Sequence, residues 1–431
     1  MHSMCRFRLT VLTQGLALCI LLLADALGET QNPLPVGDFA ARLVHVGAGA
    51  TFPCALLFPV AARINGPGPS RSCSVCRSPV YQKWTQILSA KRDKDSVHYK
   101  YLPTSSSEGK QKLLNGTIPF AGSDSALSAK DRLAIPDAWF VPSLAGGVAV
   151  GFNVPGIKSQ ELRIPREALA DVFLGKIWQW SGLAPWNPKL AGVARNISIV
   201  VRSESSGTTS VFTSALSSFS AEWKSTVGSA SLPKWPKTAL RSEGNSGVAI
   251  GIKLTEYSIG YLNVGDALTY TVSYANISNS AGKYVAPTLA AVQAATNTFG
   301  PMLEVLAKNG STNFYVDTVD PKDEPEAYPI ATFTYIAFNP ARLDCEALTD
   351  VLVLLFWAWT DQQAHKLAMD HQLVPISEAV RAACLSALAT LECEAVIMMQ
   401  GVQLAFGLGC NPGTQSPVPR SMCPPLNAVC I

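Results

Sequence analysis

From Leu43 onward, short apolar runs alternate with longer stretches in which apolar and polar positions recur at helical spacing. The runs predict strands at Leu43–Val46, Val97–Tyr101, Pro119–Phe120 leading to Gly122, Ala138–Val141, Gly147–Asn153, Ile197–Val201, Ser258–Leu262 and Thr332–Phe338. The longer stretches predict helices at Tyr81–Ser89, Lys110–Leu114, Arg166–Leu174, Ser210–Phe219, Ser246–Thr255, Ala286–Thr298, Cys345–Ala368 and Ser377–Leu391. Such alternation implies α/β architecture with largely parallel sheets. In sheets of this kind ligands sit at the carboxyl ends of strands, where turns feed helix starts. Val351–Trp359 is strongly apolar but too short for a bilayer span of roughly 20 residues, so it reads as a buried helix. Cys54–Arg77, rich in Pro, Gly, Ser and Arg, and a Cys-rich tail from Glu394 to Ile431 fall outside the pattern.

Two strand-to-helix turns carry candidate chemistry. The first is Gly47-Ala48-Gly49-Ala50-Thr51-Phe52-Pro53, with Pro53 suited to a first helical turn. The second is Arg202-Ser203-Glu204-Ser205-Ser206-Gly207-Thr208-Thr209, feeding a helix that begins near Thr208. Free N–H groups at helix starts and the positive end of the helix dipole favour an anion. Arg202 offers a planar fork of donors that keeps its charge, and Glu204 is close enough in sequence to orient it. Taken singly, the first turn also reads as structural and the Arg202–Glu204 pair as a surface ion pair. Ser105–Glu108 fits a capping box, and Asp124 fits a helix cap or turn.

A length of 431 residues suits two or three domains, and a formal charge of +3 gives no reason to expect nucleic acid as a partner. Residues 1–28 read as a signal peptide, with Arg6 and Arg8, an apolar run from Leu9 to Leu23, and a small-residue cleavage site at Ala26-Leu27-Gly28. The expected location is therefore secreted, cell-surface or periplasmic. Of eleven cysteines, Cys5 and Cys19 fall in that leader, and the remaining nine suit disulfides in an oxidising compartment, with no pairing deducible. Asn115, Asn196, Asn276 and Asn309 head Asn-x-Ser/Thr tripeptides and are glycosylation candidates in a eukaryotic host. Cys73-Ser74-Val75-Cys76 lacks a second Cys/His pair at metal-site spacing, and His365 and His371 read as packing residues. Ser203–Gly207 lacks the first glycine of a hydrolase elbow. The expectation is no metal, no cofactor and no catalytic residue.

Several separated motifs then resemble, in order, the phosphate-binding protein of the bacterial high-affinity phosphate ABC transporter. They are Gly47–Pro53, Pro79-Val80-Tyr81-Gln82-Lys83-Trp84, Phe120-Ala121-Gly122-Ser123-Asp124, Gly146-Gly147-Val148 with Asn153–Lys158, Phe173–Ile177, Arg202–Thr209, Lys234-Trp235-Pro236 and Ile259-Gly260-Tyr261. The resemblance implies a two-lobed periplasmic-binding-protein (type II) fold with two crossover hinge strands. Its lobes would be residues 40–145 plus 328–393, and 146–327. It implies phosphate ligands at Thr51, Phe52, Ser106, Asp124, Arg202, Ser206, Gly207 and Thr208, with Glu204 behind Arg202. Pro103 and Glu108 stand where relatives often carry glycine. The oddity is Asp124, a carboxylate beside an anion. As an acceptor it suits phosphate, which can donate a proton to it, and repels fully ionised sulfate.

Further expectations follow from the resemblance. The function is capture of one phosphate ion for uptake, scavenging or storage by a monomer, with a membrane permease as partner in a bacterial setting. Excising Cys54–Arg77 restores the family's spacing, so the stretch reads as retained intronic sequence and the chain as a eukaryotic, algal-like homologue. Two rival readings are a secreted phosphatase-like enzyme and a degenerate, non-binding structural protein of the cell surface.

Overall fold

A computed structural model describes residues 44–50, 80–91, 98–322 and 324–391. The expected leader, Thr51, Phe52, the 54–77 stretch and the tail from Glu394 lie outside the described residues. The strands are β1 (Val44–Gly49), β2 (His98–Pro103), β3 (Phe120–Ser123), β4 (Trp139–Asn153), β5 (Arg163–Ile164), β6 (Ser198–Arg202) and β7 (Leu240–Ser242). They continue with β8 (Ser258–Asn263), β9 (Ser273–Tyr274), β10 (Asn276–Ser278), β11 (Tyr284–Val285), β12 (Ala331–Phe338) and β13 (Val374–Pro375).

The helices begin with α1 (Val80–Lys91), α2 (Ser106–Leu114), α3 (Ala129–Ala134), α4 (Arg166–Phe173), α5 (Gly207–Phe219) and α6 (Ala221–Thr226). Next come α7 (Gly244–Leu254), α8 (Val264–Thr269), α9 (Leu289–Asn297) and α10 (Gly300–Lys308). The last three are α11 (Cys345–Thr360), α12 (Gln362–Asp370) and α13 (Glu378–Leu388).

The main sheet runs in the order β2-β1-β3-β12-β4-β8-β6-β7, with β13 and β9 added along β4. Its flanks are parallel: β1 with β2 and β3, and β6 with β7 and β8. Its centre is antiparallel, because β12 opposes both β3 and β4, and β4 opposes β8. The parallel expectation holds on both sides and fails in the middle. There β4 pairs with β12 from Trp139 to Gly147, then leaves it and pairs with β8 from Val148 onward. One strand thus serves two halves of the sheet.

That strand corrects the sequence reading of two separate strands at 138–141 and 147–153. Pro142 and Gly146-Gly147 look like breakers, yet the run from Trp139 to Phe152 is buried and extended throughout. Pro142 is accommodated because the register against β12 shifts there: Tyr335 faces Pro142 and Thr334 faces Leu144, so Ser143 is an extra residue. Proline inside a sheet is at home beside such a bulge. The reading of one helix over 345–368 is also corrected. Asp361 (φ −82°, ψ 128°) ends α11 and caps α12, its carboxylate accepting from Gln363 N at 2.7 Å and Ala364 N at 3.2 Å. A short side chain that satisfies free helix-start donors makes the break favourable.

Each half has its own aromatic packing beneath the sheet ends. Under α5, Tyr261 stacks on Phe212 with ring centres 4.4 Å apart, and Phe173 meets Phe212 edge-on at 4.8 Å. Beside α1, Tyr81 meets Tyr101 edge-on at 5.1 Å, and Trp84 meets Trp357 edge-on at 6.2 Å. Such pairs each add about 0.5–1.5 kcal/mol beyond area burial and fix the elements that end at the site. α11 is buried along nearly all its length, as its apolar sequence predicts.

Candidate functional site

The carboxyl end of β1 meets the start of α2 with almost no space between them. Ala50 N donates to Gly122 O at 2.8 Å, and Thr104 N donates to Gly49 O at 2.9 Å. Gly49 has φ +143°, and a Cβ there would stand 2.0 Å from Gly122 O. A Cβ on Gly109 would fall 2.5 Å from Gly49 Cα, so the first turns of α2 press on the strand backbone. Only glycine permits that approach. Ser105 caps α2, accepting from Glu108 N at 3.1 Å, and the next residue, Ser106, is buried at the helix start. The cap is therefore Ser105 and not Ser106, the residue expected as a ligand.

Asp124 follows β3 and is 1% exposed. It caps no helix; Ser128 takes that role for α3. Its N–H donates to Ser106 Oγ at 3.3 Å, and its Oδ1 accepts from Thr334 Oγ1 at 2.7 Å. The bulge in β4 supports this contact. Ser143 Oγ donates to the Thr334 carbonyl at 2.9 Å and also hydrogen-bonds Tyr81 OH, which reaches Thr334 Oγ1 at 3.5 Å. Burial pushes the Asp124 carboxyl up to about 7, against the Thr334 hydrogen bond and the charges of Arg202 and Lys110, which pull it down. Lys110 itself is held by Ser125 Oγ at 2.9 Å and Ala126 O at 2.8 Å, and burial lowers it to about 8.

From the other half, β6 ends in Arg202 and α5 begins at Gly207, one residue before the start expected near Thr208 and three before the helical run expected from Ser210. Ser206 caps the helix, accepting from Thr209 N at 3.3 Å, and Ser206, Gly207 and Thr208 are all buried. A Cβ on Gly207 would lie 2.3 Å from Ser106 Oγ and 3.0 Å from Asp124 Oδ2. The start of α5 is thus in contact with the two residues from the first half. A second contact lies nearby, where Ser107 Oγ meets Ser205 Oγ at 2.6 Å and Ser205 Oγ donates to Ser231 Oγ at 2.9 Å.

Arg202 is 1% exposed, which excludes the surface ion-pair reading. Its Nε donates to Glu204 Oε1 at 2.6 Å, Nη2 donates to the same oxygen, and Nη1 donates to Asn245 Oδ1 at 2.9 Å. Among the described residues three of its five N–H groups are engaged, which leaves one on each terminal nitrogen for a bidentate acceptor. Burial alone would raise Glu204; the charge and hydrogen bonds of Arg202, with the Gly244 N–H at 3.2 Å, outweigh it and hold the carboxyl below its usual range. Tyr261 ties strand to helix, its OH accepting from Arg202 N at 3.3 Å and sharing a hydrogen bond with Thr209 Oγ1 at 2.7 Å.

The structure thus brings Ser106, Asp124, Arg202, Glu204, Ser206, Gly207 and Thr208 to facing strand ends, while Thr51 and Phe52 lie outside the described residues. The sequence reading did not single out Thr334, Ser143 or Asn245. Elsewhere, His371 Nδ1 meets Leu367 O at 2.8 Å and its Nε2 lies 3.2 Å from Lys83 Nζ. Among the described residues no group of three or more His, Cys, Asp and Glu side chains could hold a metal ion, and no helix is long and apolar enough to cross a membrane. Asn115, Asn196 and Asn309 are exposed. Asn276 is half-buried, and its Nδ2 donates to Gln160 O at 2.9 Å.

Comparison with known proteins places this arrangement. Residues 73–353 match the model of the PBP superfamily domain. The chain belongs to the PBP superfamily. Within that superfamily it is 30% identical over 299 residues to the phosphate-binding protein PstS of Haemophilus influenzae, covering 69% of this chain and 86% of that one. It is 31% identical over 236 residues to PstS of Methanocaldococcus jannaschii, covering 52% of this chain and 60% of the relative. Among solved structures, the phosphate-binding protein of Stenotrophomonas maltophilia aligns with a TM-score of 0.56 at 22% identity, over 81% of this chain and 95% of that one. This last likeness speaks to the superfamily fold alone.

Proposed function

We propose that the protein binds one inorganic phosphate ion between the two halves of its sheet and is not an enzyme. The observation that carries this reading is the pairing, in one buried site, of an arginine with two uncommitted N–H groups and a carboxylate that accepts protons near neutral pH. The arginine and the start of α5 supply donors for ionised oxygens, and Asp124 supplies the acceptor for a phosphate proton. Ser106, Ser206, Gly207 and Thr208 complete the ligand set, together with Thr51 and Phe52, which follow Ala50 in sequence. The relatives are named as binding proteins, which favours this reading over a phosphatase or a non-binding structural protein.

The two halves, residues 40–145 with 328–393 and residues 146–327, act as lobes that close on the ion and exclude water. Hydrogen bonds from fixed donors then replace its hydration shell. Export into the periplasm or the secretory route fits the leader-like residues 1–28, and in a bacterial setting a membrane permease is the partner, as the family resemblance implies. In a eukaryotic host the role becomes scavenging or storage.

The test is calorimetric titration of phosphate-stripped protein, with and without residues 54–77, against phosphate and then sulfate. Tight phosphate binding and none for sulfate is the expected result. Absence of phosphate binding by both forms overturns the function and leaves the fold intact.

A further inference from the structure

Asn245 sits in the first turn of α7 and is 2% exposed. Its Oδ1 accepts from Arg202 Nη1 at 2.9 Å, while its Nδ2 is buried with no hydrogen-bond partner among the described residues. The contact with Arg202 fixes which end of the amide is which, since the reversed amide would set donor against donor. A buried amide N–H2 left unsatisfied is costly, and buried donors are rarely left so. What the site lacks at this point is an acceptor. The neighbours are a guanidinium with two uncommitted N–H groups and the start of a helix, and both favour negative charge.

We propose that Asn245 is a further ligand of the bound anion, its Nδ2 donating to an oxygen held beside the Arg202 fork. This rests on the phosphate reading and deepens it. The side chain would then have two duties: Oδ1 holds Arg202 in place, and Nδ2 contacts the ion that Arg202 binds. A neutral amide suits the position, because it adds a donor without adding charge beside the buried Arg202 and its half-buried partner Glu204.

The two duties separate by experiment on the full chain. Asn245→Asp keeps an acceptor for Arg202 and removes the donor; Asn245→Ala removes both. Phosphate affinity should fall about tenfold or more in each, as expected for loss of one hydrogen bond to a charged group. In the wild type, a through-hydrogen-bond coupling between the Asn245 side-chain ¹⁵N and the ³¹P of bound phosphate should appear, a readout that a purely positioning role does not produce. Asn245→Asp binding within about twofold of wild type, or no coupling in phosphate-loaded wild type, overturns the assignment even if Asn245→Ala fails to fold. Failure of the wild type to bind phosphate at all overturns the underlying reading instead.

Discussion

The two walls of the site are built from opposite chemistry. The wall from β3, α2 and β12 presents hydroxyls and one carboxylate, Asp124, whose charge is resisted by burial. The wall from β6, α5 and α7 presents a buried arginine, a capped helix start and an amide. Lys110 belongs to the first wall, but its ammonium is spent on Ser125 and Ala126 behind Asp124. On the phosphate reading proposed above, the division assigns separate tasks: the cationic wall attracts negative charge of any kind, and the acidic wall asks whether that charge carries a proton. Affinity and selectivity are therefore separable by mutation.

Removing the cationic wall should have the largest effect. Arg202→Met leaves the half-buried Glu204 without its partner and strips the fork, so phosphate affinity should fall about 10³-fold, the equivalent of roughly 4 kcal/mol. Titration calorimetry reads the change, and a loss under about tenfold would place the anion elsewhere. Forcing the walls apart comes next. Gly207→Ala puts a Cβ 2.3 Å from Ser106 Oγ, and overpacking of this kind costs about 1–3 kcal/mol, or about 5- to 160-fold in affinity.

Altering the acidic wall should change selectivity more than affinity. Asp124→Asn should weaken phosphate about tenfold and let sulfate bind measurably. In the unmodified chain the same switch is reached by pH. Below about 7 a protonated Asp124 becomes a donor, so sulfate should begin to compete as the pH falls from about 8 to about 5.5. Competition titrations at those two pH values settle it, and equal sulfate rejection at both contradicts the scheme. Stability moves in the matching direction. The folded-state pKa lies above the ordinary 3.8, so the ligand-free fold holds the extra proton and loses stability as pH rises through about 7. Asp124→Asn should therefore raise the melting temperature of ligand-free protein at about pH 8 and leave it nearly unchanged at about pH 4.

The smallest effect belongs to the contact between the walls. Ser107→Ala or Ser205→Ala removes the 2.6 Å hydroxyl pair that joins them, worth about 0.5–1.5 kcal/mol. Phosphate release in stopped-flow measurements should quicken about threefold, mainly through the off-rate.

How far the sequence foretold this depends on the residue. Arg202, Gly207 and Asp124 were legible because each follows an apolar strand at a turn, where ligands are expected. Thr334 was not, because a β-branched hydroxyl inside a buried strand has reason enough to be there as a strand former. Asn245 follows β7, three residues too exposed to show a period, and resembles an ordinary turn residue at a helix start. The single strand β4 was hidden by Pro142 and the glycine pair, whose usual meaning is interruption. Only the shifted register against β12 reveals why they are tolerated.

The unbroken course of β4 sets a limit on how this molecule can change over generations. Exposed loop residues such as Ser280–Gly282 lie at the surface, where changes of length disturb a core least. A codon gained or lost between Ala145 and Val148 would turn every following side chain of the strand to the opposite face. Because β8 and, through it, β6 take their register from that part of β4, Arg202 would be carried out of line with Asp124. Lineages descended from this chain should therefore vary freely in loop length while the number of residues from Ser143 to Val148 stays constant.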